Sequence, residues 1–310
     1  MKHFPSYKKK TSRSFFLQLI GTFLSLALVI YLIWQNWSDF INNLQRLHYS
    51  YILAILGLAF FSRLMKTLRW FYLIKVVKKQ ISFWLIIKLS FVGLFSSNIL
   101  PSTIGGDVVK LAGVVNAGMD PAAVTASLVL DRIIGMITMA TFLPWGILTT
   151  IQFHTPTTSS LFAGGGVILR KALDEVKAFL GRTWSSLNLW SKQPATLLIA
   201  GILSYFYSLS TFTIVYLILT GLGENITWWT AGGLWVLIYF ITLIPISING
   251  LGLQEASLSI VFVILAGISE PNSLVLAILI RLVFIIASLP GALFLPDILS
   301  GIKKVHQTRL

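Results

Sequence analysis

Apolar runs close to the length of a bilayer crossing recur from one end of the chain to the other. They fall at about 15–35, 51–71, 81–99, 122–150, 197–219, 228–247, 250–268 and 273–296, and a helix of about 20 residues spans a hydrocarbon core. The third and seventh runs are the weakest. All are continuously apolar, as from Phe23 to Trp34 and from Ile214 to Thr220. Barrel strands instead alternate in segments of about ten, so these runs are helices. With 56% hydrophobic and 11% charged residues and a mean hydropathy of +0.84, too little polar surface remains for a soluble globule. The expected fold is an all-α polytopic membrane protein with about 7–8 hydrophobic helices.

The net charge of +14 gathers at helix ends: in "KHFPSYKKKTSR", at Lys75, Lys78 and Lys79, and at Lys303, Lys304 and Arg309. Cytoplasmic loops carry such an excess, which places the N-terminus in the cytoplasm of a cell-membrane protein. The organisation expected is a basic tail at 1–14, one transmembrane domain at 15–300 and a basic tail at 301–310. Within the domain, 154–194 reads as an interfacial segment, with Arg170, Lys171, Asp174, Glu175, Lys177 and Arg182 spaced along an amphipathic helix. The first run is too long for a cleavable signal and is expected to remain. Nucleic acid is not an expected partner, since no basic groove interleaves with stacking aromatics, and the tryptophans suit interfacial belts. There is no cysteine, and His3, His48, His154 and His306 form no ligand spacing. No metal or cofactor is expected.

Two stretches break the apolar pattern in the same way. In "SSNILPSTIGGDVVK", Pro101 is followed by Gly105, Gly106 and Asp107; in "LIPISINGLGLQEAS", Pro245 is followed by Gly250, Gly252 and Glu255. Some two dozen residues after each acid an arginine, Arg132 or Arg281, stands in an apolar run. The offset maps 51–71 onto 197–219, 81–99 onto 228–247 and 122–150 onto 273–296, which predicts pseudo-repeats at about 51–150 and 197–296, inverted in topology. Proline removes a backbone donor and glycine tolerates open backbone, so both stretches read as broken or re-entrant segments hinged at these prolines and glycines. Such backbone survives at membrane depth only around a cavity, the alternative being ordinary surface loops. Eight full crossings put both termini inside; re-entrant hairpins change that parity.

Intramembrane charges usually pair and face a cavity. Asp107 and Lys110 stand one turn apart, Asp131 adjoins Arg132, and Glu255 needs a partner such as Arg281 or Arg132. The bland reading is a set of ion pairs that hold helices together. Arg63, Lys66 and Arg69 share one helix face. Lys66 is expected to snorkel to headgroups beside Trp70, while Arg69 and, less readily, Arg63 suit lipid phosphate. No hydrolase, transferase or nucleotide-binding constellation is present, so an enzyme is not expected.

The set "RW" (Arg69, Trp70), "NILPSTIGGD", "LVLDRIIGM" and "PISINGLGLQE" resembles the lysylphosphatidylglycerol synthase transmembrane-region family, a flippase-like integral membrane family. The resemblance covers nearly the whole chain. It implies a helical fold related to the lipid-flipping part of the multipeptide resistance factor, which moves aminoacylated phosphatidylglycerol between leaflets. The separate aminoacyltransferase domain of that protein has no counterpart in these 310 residues, so synthase activity is not expected. Positions matching the motifs are Arg69, Asn98, Pro101, Ser102, Gly105, Gly106, Asp107, Asp131, Arg132, Asn249, Gly250, Gly252 and Glu255. With Lys110 and Arg281 they make up the expected substrate site and its hinges.

The leading expectation is a flippase whose partners are membrane lipids, anionic or aminoacylated. Arg132, Arg281 and Arg69 would hold phosphate, and Asp107 and Glu255 would balance them or bind an amino group. The alternatives are an enzyme or accessory subunit acting on a lipid-linked sugar or phosphate, and a scaffold for a neighbouring lipid-modifying enzyme. Homo-oligomerisation is left open.

Overall fold

The computed structural model describes residues 30–31, 34–35, 37–45, 47–99, 105–151, 188–243 and 253–307. Every regular element among them is a helix: α1 Trp37–Gln45, α2 Tyr49–Val77, α3 Phe83–Ile99, α4 Gly105–Asn116, α5 Pro121–Ile151, α6 Asn188–Ser191, α7 Pro194–Gly221, α8 Trp228–Thr242, α9 Leu253–Ala266, α10 Glu270–Ser288 and α11 Pro290–Gln307. Among the described residues α2, α5, α7 and α10 are long and apolar enough to cross a membrane. The chain is an all-α polytopic membrane protein. Outside the described residues lie most of the first apolar run, the charged part of the 154–194 segment, and the stretches 100–104 and 244–252. Pro101, Ser102, Pro245, Asn249, Gly250 and Gly252 therefore have no structural account.

Local sequence sets the helix ends. The His48 ring accepts from Ser50 N at 3.4 Å and starts α2; Pro194 stands at the start of α7, where a missing N–H costs nothing. Thr227 Oγ1 accepts from Thr230 N at 3.1 Å and caps α8. Glu224 ties the α7–α8 turn to α10, its Oε1 accepting from Ser269 N, Ser269 Oγ and Asn272 Nδ2 at 3.2, 2.8 and 2.7 Å. Pro290 separates α10 from α11, so the expected run at 273–296 divides in two, and the helix continues to Gln307 into the expected C-terminal tail.

The third, sixth and seventh apolar runs are shorter than a crossing. α3 has 17 residues, α8 has 15 and α9 has 14, or about 26, 22 and 21 Å at 1.5 Å per residue, against about 30 Å of hydrocarbon. Gly93 faces Gly106 and Leu89 faces Gly113, so α3 and the 12-residue α4 form an antiparallel hairpin. Their lengths fit a hairpin that enters and returns, rather than two crossings. The long helices α2 and α7 also run antiparallel, because Tyr51 lies against Gly221 while Arg69 reaches Ser204.

Lipid tails are as apolar as leucine, so close packing rather than exclusion of water holds such helices together. Ile55, Phe212, Leu234, Phe262 and Ile280 fill the larger core, shared by α2, α7, α8, α9 and α10. A smaller core under the α3/α4 hairpin is built from Trp70, Ile86, Leu89, Val114 and Leu128. The expected tryptophan belt is only partial: Trp70, Trp190 and Trp235 are buried inside. Trp190 donates to Leu73 O at 3.0 Å, which docks the last turn before α7 onto α2 instead of leaving it at an interface.

Candidate functional site

Spacing of three puts Arg63, Lys66 and Arg69 on one face of α2, and that face turns inward. Arg69 is 4% exposed. Its Nε and Nη2 donate to the two carboxylate oxygens of Asp131 at 2.7 and 3.0 Å, and its Nη1 donates to Ser204 Oγ at 2.8 Å. This bidentate pair, with the third donor also satisfied, is the geometry in which a buried guanidinium is stable. It links α2, α5 and α7. Arg63 lies with its guanidinium 4.2 Å from the Phe284 ring centroid and has Tyr207 as a polar neighbour.

Successive residues on a helix point about 100° apart, so Asp131 and Arg132 serve different neighbours. Asp131 faces α2; Arg132 turns to α4, where its Nε donates to Asp107 Oδ2 at 2.7 Å and its Nη2 lies 2.6 Å from the same oxygen. Lys110 Nζ approaches the other oxygen, Oδ1, at 3.8 Å and stands over the Trp70 ring. In the second half Arg281 Nε donates to Glu255 Oε1 at 2.5 Å, while the buried Glu255 Oε2 has no hydrogen-bond partner among the described residues. Each half thus joins an acid in the first turn of a short helix to an arginine in the following long helix. The sequence separations are 25 and 26.

Two polar cavities adjoin these pairs. One, of about 250 Å³, has Asp107, Lys110, Asp131 and Arg132 on its wall together with Tyr207 and Tyr239. The other, of about 230 Å³, is walled by Arg63, Arg281, Asn98, Gln254 and Ser288. Lys66, Leu94 and Ser97 line both and form the partition. Among the described residues no carboxylate lies within ion-pair distance of Lys66. An interior so rich in guanidinium and ammonium groups suits an anion.

Residues 18–291 match the lysylphosphatidylglycerol synthase transmembrane-region family. The chain belongs to that family. No curated protein matches it significantly.

This member of the synthase transmembrane-region family places several expected site residues together and reassigns others. Asp107, Lys110, Asp131, Arg132 and Arg69 meet at the larger cavity. At the smaller one Asn98 Nδ2 donates to Ser288 Oγ at 2.8 Å, beside Arg281. Among the described walls Glu255 lines neither cavity; it stands behind Arg281. Arg69 is held by Asp131 and Ser204, which leaves it a poor phosphate ligand. Gly105 and Gly106 are not an open hinge; they form the buried first turn of α4, where a Cβ on Gly93 would lie 2.8 Å from Gly106 O. Lys66 does not snorkel outward, because its stem points between the cavities.

Sequence reasoning underrated Arg63 and Lys66 and missed Tyr207, Tyr239, Gln254 and Ser288. A usable signal lay in "SYFYSLSTFT" of α7, whose Ser204, Tyr207, Ser208 and Thr211 recur at helical spacing and oppose the basic face of α2.

Proposed function

We propose that this protein is a lipid transporter of the flippase type, moving a lipid with a charged headgroup between leaflets, and not an enzyme. It acts in the cell membrane with its N-terminus in the cytoplasm. The observation that carries this reading is the pair of matched acid–arginine bridges beside two adjoining cation-rich cavities, set among helices of membrane-spanning length. Transporter sites lie where two repeats meet and where short interrupted helices expose polar groups. The headgroup enters the polar interior while its tails stay in lipid, and exchange between leaflets requires states that differ in headgroup affinity. Reading Asp107 or Glu255 as a general acid or base gains less support, since an arginine already engages each of them. The test is a leaflet-specific fluorescent lipid in vesicles containing the purified protein. Wild type should accelerate exchange over empty vesicles, and Arg132→Ala should reduce it at least about tenfold, a barrier increase of about 1.4 kcal/mol. Equal exchange in empty and loaded vesicles refutes transport, and equal exchange by the variant refutes the assignment of Arg132.

A further inference from the structure

The wall of the smaller cavity carries Arg63, Lys66 and Arg281, and among the described residues no carboxylate lines it. Among the described residues the walls of both cavities carry six cations, Arg63, Lys66, Arg69, Lys110, Arg132 and Arg281, and two acids, Asp107 and Asp131; these two and Glu255 behind Arg281 are each in an ion pair. The stretches 100–104 and 244–252, which join α3 to α4 and α8 to α9, contain no Asp or Glu. Arg63 is 8% exposed, and its buried Nε has no hydrogen-bond partner among the described residues. Phe284 holds its guanidinium plane in place. A buried cation without a counter-ion is costly, and half-buried Lys66 beside Arg63 adds a second cation with no carboxylate at ion-pair distance among the described residues.

We infer that the smaller cavity binds a phosphate dianion, the headgroup of a phosphomonoester lipid, with Arg63 and Lys66 as its principal ligands. This assignment rests on the transport reading for the cavity's purpose and on its own charge balance for the ligand. A phosphomonoester carries about −1.5 to −2 at neutral pH and offers three acceptor oxygens. It neutralises both unmatched cations, whereas the single charge of a phosphodiester neutralises one. An aminoacylated headgroup brings an ammonium into a positive cavity, and Glu255, behind its wall, is already held by Arg281. Guanidinium binds two phosphate oxygens at once, and the Lys66 ammonium, on a flexible stem at the partition, stays with the phosphate from either cavity.

The experiment is a titration of the full-length protein in phosphatidylcholine nanodiscs with four probes: dioctanoyl phosphatidate, dioctanoyl phosphatidylglycerol, its lysyl ester and inorganic phosphate. Phosphatidate should bind at least about tenfold more tightly than phosphatidylglycerol, and the lysyl ester most weakly. Arg63→Gln and Lys66→Gln should each weaken phosphatidate at least about tenfold, and Lys66→Arg less than about threefold. Lys88→Gln, outside both cavities, should change nothing. Tighter binding of phosphatidate than of inorganic phosphate assigns the dianion to a lipid; the reverse order assigns it to a soluble phosphate, keeps the dianion site and overturns the lipid. Equal affinity for phosphatidate and phosphatidylglycerol, preference for the lysyl ester, or indifference to both Gln variants overturns the proposal. Phosphatidate binding without leaflet exchange sinks the transport reading alone, and exchange of the lysyl ester without dianion binding sinks this inference alone.

Discussion

The two halves use one device in two settings. In the first, Asp107 is partly exposed and shared by Arg132 and Lys110; in the second, Glu255 is 7% exposed and, among the described residues, held by Arg281 with its other oxygen unpartnered. A shared spacing of acid and arginine therefore does not give matched electrostatics. The first carboxylate is partly exposed and has two cations beside it. The second carboxylate is buried behind Arg281, which lines the smaller cavity. Between the halves lies a third pair, Arg69 with Asp131, tied across to Ser204 of α7.

The largest effect is expected at that seam. Arg69→Ala leaves Asp131 buried without its partner and should cost about 3–5 kcal/mol, read as a fall in the thermal midpoint of the detergent-solubilised protein. Replacing both partners, Arg69→Met with Asp131→Leu, should recover much of the loss, as apolar substitutes for buried pairs often do. The next two changes separate the halves directly. Glu255→Gln should cost about 2–3 kcal/mol because it removes the charge of a buried carboxylate bonded to Arg281. Asp107→Asn should cost about 1 kcal/mol, since Asp107 and Arg132 are both partly exposed. Equal losses would erase the contrast between a buried and a partly exposed carboxylate.

Glycines sharpen the comparison from the packing side. Gly106→Ala drives a Cβ into the Gly93 carbonyl and should cost about 1–3 kcal/mol. Gly57→Ala, in α2 with open space around it, should instead stabilise by about 0.5–1 kcal/mol. The smallest effect belongs to the exposed bridge between Lys88 and Asp297, where Lys88→Ala should change the midpoint by no more than about 0.5 kcal/mol.

Much of this arrangement was legible in the sequence because it rests on period and composition. The apolar runs located α2, α5, α7 and α10, and the two acids with their distant arginines announced the matched bridges. Partner choice was harder to read. Asp131 and Arg132 look like a pair when written side by side, but the turn of the helix sends them to different neighbours. Lys66 looked like a snorkelling residue because a lone helix offers no view of α7 and α10 packed over its basic face. The glycines suggested freedom of backbone; only the approach of α3 explains why Gly106 must lack a side chain. Helix length was a further gap, since an apolar run in the text does not reveal where α8 stops at Thr242 and α9 starts at Leu253.

The contact between Gly93 and Gly106 is made by main chain on both sides, with no side-chain rotamer to absorb a shift. The two arms of the α3/α4 pair are therefore held in fixed register at this point. Asp107 sits on one arm, and Leu94, Ser97 and Asn98 sit on the other. One backbone contact thus sets both the position of the carboxylate at the larger cavity and that of Leu94 and Ser97, which line both cavities.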